Sequence, residues 1–460
     1  MVAESTTTQG RLLTRGHDRA RDAVRAMIAG RAPHALLIGG PPGIGKTTLA
    51  VDLAAGLLCT DPDPAARPCR ACRACRLVDR RIHPDLHLLA PAGPGDQIRI
   101  GTRERPEDGS VRRLALDLSL LAMEGGARVA IIERADRLGD DAQTALLKTL
   151  EEPPAGVTII LCADDEDRLM PTVRSRCARI RLGPVTTREI EAILADADEA
   201  EPALAARLAR LSGGRPGLAR LLARTPDALA SRDVAARTLL DLLQAGPATR
   251  LAAARELVAA ASSIDRALAS AVDSVDTGGS ARDSAPAGKG RGGRTTRRGA
   301  ERLPATPSAT ESSRTNDASG DAGGAGAVDA SAEGSTDDED GAGSLTTANR
   351  TALERRRAVA WLIGLWRELA RDLLVVALGA DREVRDIALL DDLRVASAGA
   401  ATAGAVFTAF LGRLDAAGEL IEANVRPELV LDTLLLAWPV TRSVAVGQPG
   451  RGAEPGRGAA

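Results

Sequence analysis

Short, nearly unbroken apolar runs recur along the first part of the chain, at Ala35 to Ile38, Leu86 to Leu89, Arg128 to Ile132 and Val157 to Cys162, and Pro171 to Cys177 then leads into Ala178 to Leu182. Runs of this length, bounded by turn residues, predict strands buried on both faces. Between them the apolar positions take a helical period, over Arg11 to Ala29, from Thr48 to Ala54, over Val111 to Leu121, and from Ala142 to Glu152 with a stop at Pro153-Pro154. Alternation of this kind predicts an α/β fold, a parallel sheet with helices on both faces. From Pro184 the pattern is purely helical. Thr186-Thr187-Arg188-Glu189 reads as a capped start, and a small bundle to about Thr225 is interrupted at Ser212-Gly213-Gly214. Helical text continues from Asp227 to about Ala271 and resumes at Leu353 to Leu378, where Trp361, Leu365, Leu369 and Leu373 keep one apolar face. Asp391 to Leu414 and Pro427 to Trp438 complete it. Ser274 to Arg350 carries almost no apolar period and reads as a disordered insertion, and the tail after Pro439 reads as loose.

Composition sharpens this picture in two places. Apolar residues make up 44% of the chain but aromatics only 1%, so cores must rest on Leu, Val, Ile and Ala. The three tryptophans, Trp361, Trp366 and Trp438, are read as core or subunit-contact residues rather than ligand platforms. A formal net charge of −2 supplies no global field for nucleic acid or an anionic membrane, so any DNA contact must be local or shared. The insertion holds a basic run (Lys289 to Arg302) and an acidic one (Asp337 to Asp340) and is read as a self-neutralising linker. The N-terminus lacks the layout of a signal peptide, and no apolar run is long enough to span a bilayer, so the expected location is cytoplasmic and no membrane partner is expected. There, six cysteines are read as metal ligands or buried thiols rather than disulfides.

Candidate chemistry begins at Gly40-Pro41-Pro42-Gly43-Ile44-Gly45-Lys46-Thr47, which matches G-x-x-x-x-G-K-[ST] between a predicted strand and a predicted helix. Such a loop turns backbone N–H groups toward phosphate, with the lysine on the terminal phosphates and the threonine on Mg²⁺. Gly40, Gly43, Gly45, Lys46, Thr47 and Thr48 are the candidate contacts to ATP or ADP with Mg²⁺. A second cluster follows: Cys59, Cys69, Cys72 and Cys75 have the spacing C-x9-C-x2-C-x2-C. Four thiolates with no open position point to a structural, tetrahedral Zn²⁺ site. His83 and His87 are read as structural, because four cysteines suffice, and Cys162 and Cys177 as core thiols.

The P-loop, the four-cysteine module behind it, His83-Pro84-Asp85, the segment Ala145-Leu146-Leu147-Lys148-Thr149-Leu150-Glu151-Glu152-Pro153-Pro154 and Ser175-Arg176-Cys177 together resemble the clamp-loader branch of AAA+ proteins, over roughly Gly16 to Leu182. The resemblance implies a RecA-like nucleotide-binding domain over 1–184 with the zinc module at 59–75, a helical lid over 185–226, and a helical collar over 227–273 and 351–440 that takes the insertion 274–350, with a tail over 441–460. It also implies partners: gamma/tau-like and delta-like loader subunits, a sliding clamp, and primed DNA through the complex. Arg176 takes the place of an arginine finger that reaches a neighbour's nucleotide, a task suited to a permanently charged, forked guanidinium.

Departures from the motor pattern are informative. Where motor members end a strand in Asp-Glu, this chain has Glu133-Arg134, and arginine has no acceptor for a proton. After the strand from Thr158 to Leu161 stands Cys162-Ala163-Asp164 instead of a hydroxyl or amide, and the second sensor arginine falls on Pro216, with Arg215 as its substitute if the register slips by one. The expected function is therefore a non-motor subunit of the loader, with little intrinsic ATPase activity and no polymerase site of its own. The competing expectation is an active gamma/tau-like motor, which the intact P-loop favours. A small-molecule P-loop kinase would leave the cysteines and Ser175-Arg176-Cys177 without a role.

Overall fold

Strand β1 (Ala35–Gly39) is buried at every position, as are β3 (Arg128–Ile132) and β4 (Val157–Ala163). The edge strands β2 (Leu86–Leu89) and β5 (Ala178–Arg181) are not, and β5 exposes both its arginines. In this computed structural model, which describes residues 9–30, 32–92, 96–104, 106–124, 126–277, 338–397, 403–423 and 425–440, the five strands form one parallel sheet in the order β2-β3-β4-β1-β5. Continuous apolar text in the central strands follows from their having a helical layer on each face.

Alternate side chains of β1 serve opposite faces. Leu36 and Ile38 pack with α1 (Asp18–Ala29) and α2 (Lys46–Leu58), through Val24, Leu49 and Leu53. Ala35 and Leu37 instead meet α4 (Val111–Ser119) and α5 (Asp140–Glu151) through Leu114, Leu118, Leu146 and Leu150. Helix α3 (Arg73–Asp79) follows the cysteine loop, and the short α6 (Pro171–Arg174) precedes β5. The helix expected from Arg11 begins only at Asp18. Residues 11 to 17 are held otherwise, because the backbone N–H groups of Leu13 and Thr14 donate to the buried carboxylate of Asp52 on α2, each at 2.8 Å.

Beyond β5, α7 (Thr187–Asp196), α8 (Pro202–Leu211) and α9 (Pro216–Arg224) form a small bundle around Ile190, Leu194, Leu208 and Leu222. Thr186 and Glu189 make the expected reciprocal cap. The remaining helices are α10 (Pro226–Asp241), α11 (Pro247–Thr277), α12 (Asp338–Ala377), α13 (Leu390–Ser397), α14 (Ala403–Glu422) and α15 (Pro427–Ala437). The aromatic residues the chain possesses are concentrated in their core: Trp366 and Trp438 pack edge-on at 5.4 Å, with Phe407 and Phe410 beside them. Asp391 to Leu414 divides between two helices, α13 and α14. Backbone at both ends of the expected insertion 274–350 is helical, since α11 runs to Thr277 and α12 starts at Asp338; helices anchored by packing propagate beyond their apolar face. The rest of that segment, 278–337, and the tail 441–460 lie outside the described residues. No helix among the described residues is long and apolar enough to cross a membrane.

A buried ion network ties the three-helix bundle to the later helices. Asp386, only 2% exposed, accepts from Arg232 of α10 at 2.8 Å and from Arg207 of α8 at 3.3 Å, while Glu368 of α12 accepts from both Arg232 and Arg215. Burial pushes the Asp386 carboxyl up, but Arg232 and Arg207 outweigh it and hold it below its ordinary value. Asp386→Ala is expected to lower stability by about 2 kcal/mol, because Arg232 and Arg207 each lose a buried charged hydrogen-bond partner and keep only Asp233 and Glu368. A folded value below the unfolded one means that this contribution is complete above the ordinary carboxylate range and fades as pH falls through it. Urea midpoints of wild type and variant should therefore converge in acid, and a gap that persists there would show that Asp386 acts by packing alone.

Candidate functional site

Gly40 to Gly45 crosses the carboxyl edge of the sheet between β1 and α2, beside β4, the location at which open α/β sheets take ligands. Gly40 donates its N–H to Ala163 O at 3.2 Å. Its φ is +149°, and a Cβ there would stand 2.6 Å from Leu182 O, so the loop can pass between β4 and β5 only as glycine. Lys46, buried in the first turn of α2, donates to Gly40 O at 2.6 Å, Pro41 O at 2.9 Å and the Asp164 carboxylate at 2.5 Å. Thr47 is half-buried and Thr48 exposed, and no side chain caps the N-terminus of α2. The first turn of α2 is thus left without a side-chain cap, and Lys46 already carries one carboxylate.

The positions at which the sequence departs from the expected motor pattern are each engaged in ion pairs or hydrogen bonds around the loop. Glu133, at the end of β3, accepts from Arg81 at 2.7 Å. Arg134 adopts a left-handed conformation (φ 49°) and pairs with Asp96 at 2.8 Å, its Nε 3.9 Å from Asp164. Asp164 in turn donates its N–H to buried Asp136 at 2.8 Å. The position after β4 is therefore polar after all, but an ionised carboxylate accepts hydrogen bonds and repels phosphate, whereas a hydroxyl or amide can donate. Pro216 is the first residue of α9, and Arg215 spends its guanidinium on Ser212 O at 2.8 Å and Glu368 at 3.2 Å. Gly217 N donates to Gly43 O at 2.9 Å, joining the bundle directly to the P-loop; a Cβ on Gly217 would fall 2.9 Å from that same oxygen.

Next to the loop a cavity of about 700 Å³ opens between the N-terminal segment, α1, α2 and α7, lined in part by Leu12, Leu13, Thr48 and Ile193 with Arg11 and Arg15 at its rim. Nothing in the spacing of residues 11 to 15 announced this cavity.

The four cysteines converge. Their sulfur atoms lie within 4.8 Å of one another, with Cys59 Sγ 3.5 Å from Cys69 Sγ and 3.9 Å from Cys72 Sγ. A tetrahedral zinc–thiolate site, with bonds of about 2.3 Å, requires sulfur separations of about 3.8 Å, so the set fits the ion. Backbone N–H groups of Cys72 and Cys75 point at the sulfurs of Cys69 and Cys72, each at 3.4 Å. Burial works against the Cys72 thiolate, yet hydrogen bonds from Cys75 and Thr60 bring its pKa down to about 6. Arg70, left-handed inside the first C-x-x-C, pairs with Asp52 and Asp79 and ties the loop to α2 and α3. His83 and His87 are not part of the cluster; His83 is buried and accepts from Asp85 N at 3.1 Å. Cys162 and Cys177 are buried, and burial pushes their thiols up to about 12 and about 11.

Arg176 lies just beyond α6, 35% exposed at its side chain, donating to Thr172 O at 2.8 Å and pairing with Glu151 at 2.6 Å. Two motifs far apart in sequence, the Glu-Glu-Pro-Pro end of α5 and Ser175-Arg176-Cys177, therefore meet at one ion pair on the surface.

The family described as DNA polymerase III, delta subunit, matches residues 18–186. DNA polymerase III subunit delta' of Escherichia coli (strain K12) is 36% identical over 197 residues, 43% of this chain and 56% of that protein. The delta' subunit of Bacillus subtilis (strain 168) is 31% identical over 182 residues, covering 40% and 51% of the two chains, and the tau subunit of Escherichia coli (strain K12) is 34% identical over 209 residues, covering 44% and 30%. The chain spans about half the length of the delta' relatives it matches. Among solved structures, a gamma subunit-related protein of Thermotoga maritima aligns over 91% of this chain and 97% of its own at 15% identity, with a TM-score of 0.37.

Proposed function

We propose that this chain, whose residues 18–186 match the family described as DNA polymerase III, delta subunit, is a delta-prime-like, non-motor member of an ATP-driven loader ring and lends Arg176 to a neighbour's nucleotide. The observation that carries the non-motor reading is Arg134. It occupies the place of the water-activating glutamate, has no acceptor for a proton, and is held by Asp96. Supporting it, Glu133 is paired with Arg81, and Arg215 is committed to Glu368 rather than to a phosphate. The ring would open a sliding clamp and place it on primed DNA, with gamma/tau-like and delta-like subunits as its other members.

The P-loop itself would bind ATP or ADP. Gly40, Gly43 and Gly45 shape the cradle, Lys46 meets the terminal phosphates, Thr47 holds Mg²⁺, and Thr48 faces the neighbouring cavity, whose apolar wall suits a base. A bound phosphate must displace Asp164 from Lys46 or tolerate its charge. Asp164→Asn, which removes that charge, is therefore expected to tighten ATP binding by about tenfold, on the scale of one partly screened charge pair. Turnover by the isolated chain should remain negligible in both forms. Equilibrium titration with a fluorescent ATP analogue and a phosphate-release assay read the two quantities; brisk hydrolysis by the isolated wild-type chain would instead favour the motor reading, which the intact P-loop supports. Cys59, Cys69, Cys72 and Cys75 would hold a structural Zn²⁺.

A further inference from the structure

Between the three-helix bundle and the later helices lies a second cavity, of about 560 Å³, that shares no lining residue with the P-loop. Its walls are the start of α7, the end of α8 with Gly213 and Gly214, and the segment that follows α12. Five arginines line it: Arg188, Arg210, Arg371, Arg382 and Arg385. Two carboxylates, Glu191 and Glu383, also face it, and neither pairs with any of these arginines among the described residues. Arg371 alone has a carboxylate partner, Asp372 at 2.7 Å, and it also donates to Glu383 O at 3.1 Å.

Arg385 is the residue of this lining that is hardest to explain by stability. It is half-buried, and its guanidinium lies against Gly213, where a side chain would come within 3.3 Å of it. No ion pair or side-chain hydrogen bond to it exists among the described residues, while Asp372 accepts its backbone N–H at 3.1 Å. Burial pushes its pKa down, and Arg371 and Arg215 add to this against the opposing charges of Glu368 and Asp372. A half-buried guanidinium that makes no direct pair is costly unless an anion completes it. Gly213, at φ +58°, leaves the space that this guanidinium occupies.

We propose that this cavity binds phosphate groups at a site separate from the P-loop. Forked guanidinium groups presented from three directions match phosphate oxygens in pairs, and a volume of this size admits two or three linked phosphates. The phosphates come either from a nucleic-acid backbone or from a free polyphosphate, and both have the same chemistry at the site.

Tripolyphosphate binding to the full chain, measured by calorimetry in a Lys46→Ala background that disables the P-loop, tests this. One equivalent should bind, and the double charge reversal Arg210→Glu with Arg382→Glu, both on exposed side chains, should weaken it by at least about tenfold. Arg385→Gln should weaken it similarly, and Arg413→Glu, an exposed reversal on α14, should leave it unchanged, with thermal melting confirming that each variant is folded. Competition by a short single-stranded oligonucleotide that is lost with the same reversals assigns the phosphates to a nucleic-acid backbone; failure to compete assigns them to a free polyphosphate. Absence of tripolyphosphate binding in the Lys46→Ala chain, or binding indifferent to the Arg210 and Arg382 reversals, overturns the proposal.

Discussion

Purified without chelator, the chain is expected to carry one zinc ion, and Cys72→Ser is expected to lose it along with the ordered loop between α2 and α3. The reason is geometric. Residues 60 to 72 make few apolar contacts of their own, and what organises them is the convergence of four sulfurs with the Arg70 pairs to Asp52 and Asp79. Apparent zinc affinities of structural thiolate sites are on the order of 10 kcal/mol or more at neutral pH, so removing one ligand withdraws a large part of what holds this segment. Asp52 also anchors residues 13 and 14, so damage should spread to the N-terminal segment beside the P-loop. Metal analysis by mass spectrometry and proteolysis within residues 60–80 are the two readouts. A metal-free wild-type chain with an equally protected loop would refute the assignment.

On the proposed reading, in which the chain works in a loader ring and Arg176 completes a neighbour's site, Arg176→Ala is expected to lower ATP hydrolysis at that site by about a thousandfold, the scale on which arginine fingers act. Arg176→Lys should restore little, since a point charge cannot replace a fork that contacts two oxygens. The isolated variant should keep its fold, because the Glu151 pair lies at the surface and is worth at most about 1 kcal/mol. That pair has a further consequence. To reach a neighbour, Arg176 must leave Glu151, so Glu151→Gln should ease that exchange, while Arg176→Ala abolishes its use. Assembled-complex turnover unchanged by Arg176→Ala would remove the finger role while leaving the non-motor reading, which rests on Arg134, intact.

Much of the fold was legible along the chain because it depends on local pattern. The central strands read as apolar runs since helices cover both their faces, and the P-loop, the capped start at Thr186 and the proline stop after α5 are each set by a few neighbouring residues. The start of α1 was not legible: nothing within residues 11–17 reveals that Asp52, some forty residues on, takes their backbone donors. Nor did the text Cys162-Ala163-Asp164 show that Asp164 reaches back to Lys46, or that Glu133 would meet Arg81.

The sequence by itself therefore determined the parallel α/β architecture, the glycine-rich loop that enters α2 at Lys46, and the set of four thiols. Those depend on residue type and short spacing. Only the tertiary structure decided which charges neutralise one another around Lys46, that Gly217 touches Gly43 from the three-helix bundle, and that the Arg385 guanidinium faces a cavity without pairing to a carboxylate among the described residues. Ion pairs and cavities arise from side chains brought together over tens of positions to more than a hundred, and a one-dimensional period carries no record of such distances.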